Sequence, residues 1–179
     1  MSDHENALLA AAHTPLDRLI VKVGDIVAWL YVVAVMISFY EVIMRYFFNS
    51  PTVWVHETTV AIVGMAMAYG GIYCFSNESH ISVTLVKDRL PLIWQKRIAI
   101  FTDILVFIFS IGGVYAMYYM TSRSIFTPAG DFYMQRSGSA WNSVSETLTK
   151  IFILFVFLIL VLQVCLHLIK KIRNYREEV

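Results

Sequence analysis

Long apolar runs separated by short polar segments are the main feature of this 179-residue chain. A helix rises about 1.5 Å per residue, so about 20 residues are needed to cross a hydrocarbon core about 30 Å thick. Four apolar windows meet this requirement, at positions 26–44, 58–75, 98–120 and 151–169. The pattern therefore predicts an all-α integral membrane protein whose four transmembrane helices lie within residues 26–169.

Residues 1–25 precede the first apolar run and contain a helix start. Thr14 is suited to the N-cap and Pro15 to the first helical position, and apolar residues then recur at the spacing of one helical face. We expect a short amphipathic helix that lies on the inner membrane surface. A second interpretation is that the first span extends toward the N-terminus with a bend near Gly24, and the sequence favours neither.

A second amphipathic segment, residues 80–90, separates the second and third apolar runs. Its apolar residues share one helical face, whereas Lys87 and Arg89 lie largely away from that face. Pro91 ends the segment, because proline disfavours helix at the residue before it and can open the next helix. This pattern predicts an interfacial helix that starts at His80, and a soluble loop is the alternative.

The distribution of Lys and Arg sets the orientation, because cytoplasmic segments are enriched in these residues. Ten of the 14 basic residues fall in the N-terminal segment, between spans two and three, and around the basic tail, residues 170–179. Both termini are therefore predicted to be cytoplasmic, and residues 121–150 to form the largest periplasmic loop. The N-terminal segment contains four acids and no positively charged start, so we expect no cleavable signal peptide.

Composition and charge narrow the function classes. Hydrophobic residues make up 58% of the chain, about ten points above a soluble globular domain, which excludes a soluble enzyme. The net charge of +1 offers no basic surface for nucleic acid. Cys74 and Cys165 lie inside apolar runs, without neighbouring His or Cys at metal-ligand spacing, so neither a disulfide framework nor a metal site is predicted.

Charged side chains inside spans need partners, because burying one at the centre of a span costs about 2.5 to 3.5 kcal/mol. Glu41 and Arg45 are four residues apart near the outer end of span one, so we expect them to pair along the helix; contact with a partner protein is the alternative. Asp103 lies near the cytoplasmic end of span three, within reach of Lys96 or Arg97, and a cation site there is the alternative.

A stripe of small residues marks span two. It consists of residues spaced four and three apart on one helical face, which we call the small-residue stripe: Glu57, Ala61, Gly64, Ala68 and Gly71. Small residues let another helix approach closely, so we predict a subunit-packing surface whose neighbour belongs to this chain or to another protein. Glu57 is placed to pair with Arg45 or with a basic group of the partner. Span four has no Gly, Ala or Ser in its apolar run and is predicted to face lipid.

The sequence contains no motif for catalysis or for carrying a substrate alone. It has no Ser-His-Asp or Cys-His grouping, no metal-ligand cluster and no phosphate-binding glycine loop. It also lacks a pair of Gly- or Pro-broken apolar segments of the kind that form transporter substrate sites. We therefore expect a protein that is not an enzyme, has no catalytic or substrate-binding residues, and works with partners.

An ordered set of motifs across residues 26–120 resembles the small membrane subunit, or DctQ-type component, of tripartite ATP-independent periplasmic (TRAP) transporters. The set comprises Arg45 in Arg-Tyr-Phe-Phe-Asn-Ser-Pro, then Trp54-Val-His-Glu57, then His80-Ile, and finally Arg89-Leu-Pro91. The length and the four spans agree with this family. We predict that one group of residues lies at the outer boundary or in a docking surface, namely Glu41, Arg45, Trp54 and Glu57, and that the interfacial residues are His80, Lys87, Arg89 and Pro91.

The resemblance implies a bacterial or archaeal inner-membrane protein that works with a large membrane transport subunit and a periplasmic solute-binding protein, within membrane lipid. In such systems the large subunit holds the substrate and sodium sites, so no cofactor is expected in this chain. The small subunit then serves as a scaffold for sodium-driven import of an organic acid such as a dicarboxylate or sialic acid.

A b-type cytochrome or quinone-linked membrane anchor is the main alternative from another class. Its haem needs two facing axial histidines, and His80 and His167 both fall near the cytoplasmic ends of their spans. However, His80 lies in a polar context, and an interfacial position explains His167 equally well. A small multidrug exporter is a further alternative, but it needs an acid deep in the first span, and Glu41 lies near the end of that span.

Overall fold

The computed structural model describes residues 14–76, 91–127 and 129–177, apart from the side chains of residues 92, 93, 96 and 174–177. These residues form four α-helices: α1 (Pro15–Tyr46), α2 (Val55–Ser76), α3 (Leu92–Ile125) and α4 (Ser145–Glu177). All four are long and apolar enough to cross a membrane. The prediction of an all-α protein with four membrane-spanning helices is confirmed.

Every helix extends beyond the apolar window predicted for it, and α1 does so most at its N-terminus. It begins at Pro15 and continues through Gly24 without a break. Thr14 forms a capping box, in which its hydroxyl accepts the Asp17 N–H (3.2 Å) and the Asp17 carboxylate accepts the Thr14 N–H (2.9 Å). The amphipathic segment before the first span is therefore continuous with that span.

The second predicted interfacial helix, residues 80–90, lies outside the described residues, as do His80, Lys87 and Arg89. Pro91 is described, and it occupies the N-cap position of α3 with φ −54° and ψ 146°. Its carbonyl oxygen accepts two N–H groups of the first turn, at 2.9 and 3.2 Å. Proline therefore opens α3, as the sequence predicted.

The four helices pack as a row in the order α1, α2, α4, α3, which we call the helix row. α2 lies between α1 and α4, and α4 lies between α2 and α3. Because consecutive spans cross in opposite directions, α2 and α4 are parallel neighbours. We call the end where α2 and α4 begin the outer end, and the opposite end the inner end.

α4 is central in the helix row, so the prediction that this span faces lipid is wrong for the faces that pack on α2 and α3. Val156 is only 5% exposed and Ile159 packs against the apolar core, although Leu158 is 50% exposed. The small residue that allows this packing lies on the neighbouring helix. A Cβ atom at Gly113 of α3 would be 2.2 Å from Cε1 of Phe157, so the glycine leaves the space that this ring fills.

The buried apolar core is small and joins α1, α2 and α4. It is built around Ile20, Tyr69, Ile72 and Val156. The Tyr69 hydroxyl also donates a hydrogen bond to the Ile20 carbonyl oxygen at 2.8 Å. Only 6 to 22% of each apolar window is buried inside the chain, and side chains such as Trp29 and Phe109 point outward. The helix row therefore presents most of its apolar surface to lipid or to other membrane helices.

Candidate functional sites at the two ends of the helix row

Glu41 holds the loop between α1 and α2 at the outer end. Its Oε1 atom accepts hydrogen bonds from Arg45 at 2.7 Å (Nη2) and 3.1 Å (Nε), which is the pairing along the helix that the sequence predicted. Its Oε2 atom accepts the N–H of Thr52 at 3.0 Å, and also the Thr52 hydroxyl proton. One carboxylate therefore neutralises Arg45 and closes the loop.

Aromatic side chains surround this loop. Tyr46, Phe47 and Phe48 are 78%, 83% and 67% exposed, and the Trp54 ring lies 6.3 Å from the Tyr40 ring. Exposed aromatic rings are favoured at membrane interfaces and in contacts between proteins. The structure thus places Trp54 beside Tyr40, the residue before Glu41, at the end predicted as an outer boundary or docking surface.

Glu57 lies at the same end, but its partners differ from those the sequence indicated. Its carboxylate accepts hydroxyl protons from Ser137 (2.9 Å), Ser139 and Ser143, all in the segment before α4. Arg45, the partner suggested within the chain, binds Glu41 instead. Glu57 therefore fixes the loop that enters α4. In the sequence, the close spacing of the three serines is the pattern that could have indicated this contact.

The connection between α3 and α4 is anchored on both helices. Thr147 is fully buried, and its hydroxyl donates to the Gln135 carbonyl oxygen at 2.8 Å. The Lys150 ammonium group donates to Ser124 Oγ at 2.9 Å and to Gln135 Oε1 at 3.3 Å. Together with the serines on Glu57, these bonds hold the loop over the outer end. Sequence reasoning gave Thr147 and Lys150 no such role.

The structure divides the small-residue stripe between different environments. A Cβ atom on Gly64 would lie 3.8 Å from the Thr149 methyl group of α4, and Ala68 packs beside the apolar core. Ala61 lines a crevice between α2 and α4. Gly71 is exposed, and among the described residues nothing lies within 4 Å of its Cβ position. The middle of the stripe therefore packs within the chain, and its inner end is open.

Among the described glycines, the two with the least room for a side chain lie outside the stripe. A Cβ atom on Gly24 would lie 2.3 Å from Cδ2 of Tyr73, and the corresponding distance from Gly113 to Phe157 is 2.2 Å. Real Cβ atoms essentially never approach other atoms so closely, so a larger residue at either position requires the facing ring or its helix to move. A single glycine that faces an aromatic ring of another helix gives no periodic pattern in the sequence. Gly24 and Gly113 were therefore not predicted as packing positions.

A buried polar network joins α1, α2 and α4 at the inner end. The Asp17 Oδ2 atom lies 2.8 Å from His167 Nε2, and the Asp17 Oδ1 atom accepts a hydrogen bond from Gln163 Nε2, also at 2.8 Å. Gln163 Nε2 also donates to Ser76 Oγ at 2.7 Å. All four side chains are at most 3% exposed. Hydrogen bonds of this kind help to associate helices where lipid surrounds them.

The sequence contained a signal for this network. Gln163 and His167 are four residues apart in the most apolar run, so they share one helical face, and polar residues inside a span usually face other helices. Sequence reasoning placed His167 at the interface or, in the alternative, on a haem. In the structure its Nε2 atom contacts Asp17, and the other haem ligand of that alternative, His80, lies outside the described residues.

Asp103 links α3 to α4 at the inner end. It is 5% exposed, and its carboxylate lies 2.8 Å from the Lys171 ammonium group. Arg97, one of the two expected partners, lies instead over the Trp94 ring at 5.6 Å, and the side chain of Lys96 is outside the described set. The observed partner was missed because α3 and α4 meet only in the folded chain.

The contacts at both ends join helices and loops. Within residues 14–76, 91–127 and 129–177, no group of three or more His, Cys, Asp or Glu side chains could hold a metal ion. Cys74 and Cys165 are free thiols. Fold and sites together define a multi-pass membrane protein whose polar residues serve packing and loop anchoring.

The family is shown by a match over most of the chain. The family model of the DctQ component of tripartite ATP-independent periplasmic transporters matches residues 34–177. The chain therefore belongs to the DctQ family, which is a family of transporter components and not of enzymes. None of the curated proteins compared with the sequence matches it. The resemblance recognised from the motifs around Arg45, Trp54 and Glu57 is confirmed.

Proposed function

We propose that this chain is the small scaffold subunit of a sodium-coupled secondary transporter that imports an organic acid, such as a dicarboxylate or sialic acid. The DctQ match supports its place in a tripartite transporter. In this proposal the complex lies in a bacterial or archaeal inner membrane. A large membrane subunit holds the substrate and sodium sites, and a periplasmic solute-binding protein delivers the substrate. This chain binds neither cofactor nor substrate.

The observation that carries the proposal is the shape of the helix row. Its helices pack side by side, and at most 22% of any apolar window is buried inside the chain. The acidic groups Glu41 and Asp103 are neutralised by Arg45 and Lys171 of the same chain. A protein with a broad apolar surface and internally paired charges is suited to support a moving membrane partner. It is not suited to conduct a charged substrate.

The docking role is assigned to the outer end. The loop between α3 and α4 is anchored on Glu57 and exposes aromatic side chains, with Phe132 70%, Tyr133 57% and Trp141 42% exposed. Protein interfaces are enriched in aromatic residues, which give large contact areas at a low cost in side-chain entropy. We therefore place contact with the solute-binding protein on this loop and on the neighbouring Trp54.

Reconstitution tests the scaffold function. The chain, its large subunit, or both are placed in liposomes, the purified binding protein and labelled organic acid are added outside, and a sodium gradient is applied. Uptake is expected only when both membrane subunits and the binding protein are present, because this chain lacks a substrate site. A potassium gradient is the matched control. Sodium-driven uptake by this chain alone would refute the proposal.

Cysteine labelling tests the proposed orientation, in which both termini and the segment between α2 and α3 are cytoplasmic. Cys74 and Cys165 are changed to serine, and single cysteines then replace Ser2, Lys87 or Asp131. Asp131 is exposed in the outer loop, and its backbone atoms, rather than its side chain, bond to Thr127. An impermeant thiol reagent added to intact cells should label only position 131. Labelling at position 87 would reverse the orientation.

A further inference from the structure

A crevice of about 360 Å³ lies between the first turns of α2 and α4 at the outer end. We call its most apolar lining residues, Val60 and Ala61 of α2 and Thr149 of α4, the floor. The other lining residues are charged or polar, and we call them the rim: His56, Glu57, Ser137, Ser145, Glu146 and Lys150. The crevice thus combines an apolar surface with charged side chains at the outer end.

The depth of the crevice matches the boundary between lipid headgroups and acyl chains. The apolar windows of α2 and α4 begin at Thr58 and Ile151, and the two helices run in parallel from the outer end. The floor residues of α2 therefore lie just inside the hydrocarbon region, while Glu146 and Lys150 lie at headgroup level. The small side chain of Ala61 leaves room for a chain of methylene groups beside α4.

The charges on the rim have opposite signs. Glu146 is exposed, and it lies one helical turn before Lys150 on the same face of α4. Lys150 donates to Ser124 and Gln135, which uses two of the three N–H donors of its ammonium group. The Glu57 carboxylate accepts three serine hydroxyl protons of the loop. The rim therefore presents one carboxylate and one ammonium N–H about one helical turn apart.

We propose that this crevice, in the membrane orientation proposed above, binds phosphatidylethanolamine from the outer leaflet. One acyl chain lies on Val60 and Ala61, the phosphate accepts the remaining N–H of Lys150, and the lipid ammonium group donates to Glu146. Phosphatidylcholine has no N–H donor for the carboxylate, and phosphatidylglycerol has no cation for it. The headgroup with both a phosphate and a primary amine is the one that complements the rim.

Native mass spectrometry of the full, delipidated chain in detergent tests this site. Phosphatidylethanolamine, phosphatidylcholine and phosphatidylglycerol with identical acyl chains are titrated separately. We expect one phosphatidylethanolamine to bind about tenfold more tightly than either of the others, because it gains a charge-assisted hydrogen bond. Glu146→Gln should remove this preference, and Arg123→Gln should keep it, since Arg123 lies at the outer end of α3, outside the crevice.

A second variant and a crosslinking measurement separate lipid from other occupants. Ala61→Phe fills the floor, so it should abolish binding of one phosphatidylethanolamine while the helix content seen by circular dichroism is kept. Equal binding of the three lipids, or an unchanged preference in Glu146→Gln, would overturn the proposal. A photoreactive residue at position 60 in the assembled transporter should capture lipid. Capture of the large subunit instead would make the crevice a subunit contact and would also overturn it.

Discussion

The contact between Gly113 and Phe157 gives the sharpest test of how α4 packs. In Gly113→Ala the new Cβ atom would lie 2.2 Å from Cε1 of Phe157, whereas ordinary contact begins at 3.4 Å. The ring or the helix must therefore move until the two atoms reach an ordinary contact distance. Overpacking of this kind costs about 1 to 3 kcal/mol. Alanine regains about 1 kcal/mol through its helix propensity, so we expect a net loss of about 0 to 2 kcal/mol relative to the parent.

The free energy of unfolding is measured on the purified chain in mixed micelles, by adding SDS and following circular dichroism. Gly112→Ala is the matched control, because it adds the same methyl group one residue earlier, where nothing lies within 4 Å of the Cβ position among the described residues. We expect this control to equal the parent or to exceed it by up to about 1 kcal/mol. Phe157→Leu should partly rescue Gly113→Ala. Equal stability of the two alanine variants would refute the close approach of α3 and α4.

Two further predictions concern the inner end. Asp17→Ala removes a buried partner of His167, so it should lower the free energy of unfolding by about 1 to 3 kcal/mol in the same SDS assay, whereas Asp25→Ala, at an exposed position of α1, should change little. Equal effects of the two substitutions would contradict the network. Asp103→Asn and Lys171→Gln should show a coupling energy of about 0.5 to 1 kcal/mol in a double-mutant cycle, because their ion pair is partly exposed. Strictly additive effects would contradict the pair.

Sequence reasoning predicted the features that depend on single helices. Apolar length located the four spans, and the spacing of Glu41 and Arg45 predicted their ion pair, because both depend on residues close together in the chain. The cap at Thr14 and the helix start at Pro91 are local in the same sense. Hydropathy measures how well a segment tolerates lipid, so it contains no information on which helix lies beside which.

Contacts between distant helices were the part that the sequence did not reveal. The absence of small residues from span four predicts lipid exposure, yet large residues such as Phe157 pack well where the neighbouring helix supplies a glycine. In the same way, sequence reasoning did not predict that Asp17 is buried. Its buried partners Gln163 and His167 are 146 and 150 positions away in the chain. Such pairs become visible only when the packing order is known.

The central position of α4 sets the order in which the protein can be completed during synthesis. α1 and α2 are made first and pack directly on each other, so this pair can associate as soon as both have left the ribosome. α3 is made after this pair, but its main neighbour is α4, which follows it in the chain. The third helix must therefore wait in the bilayer without its main neighbour until α4 has been made. α4 then fills the gap between the early pair and α3, so completion of the helix row depends on the 33 residues of α4.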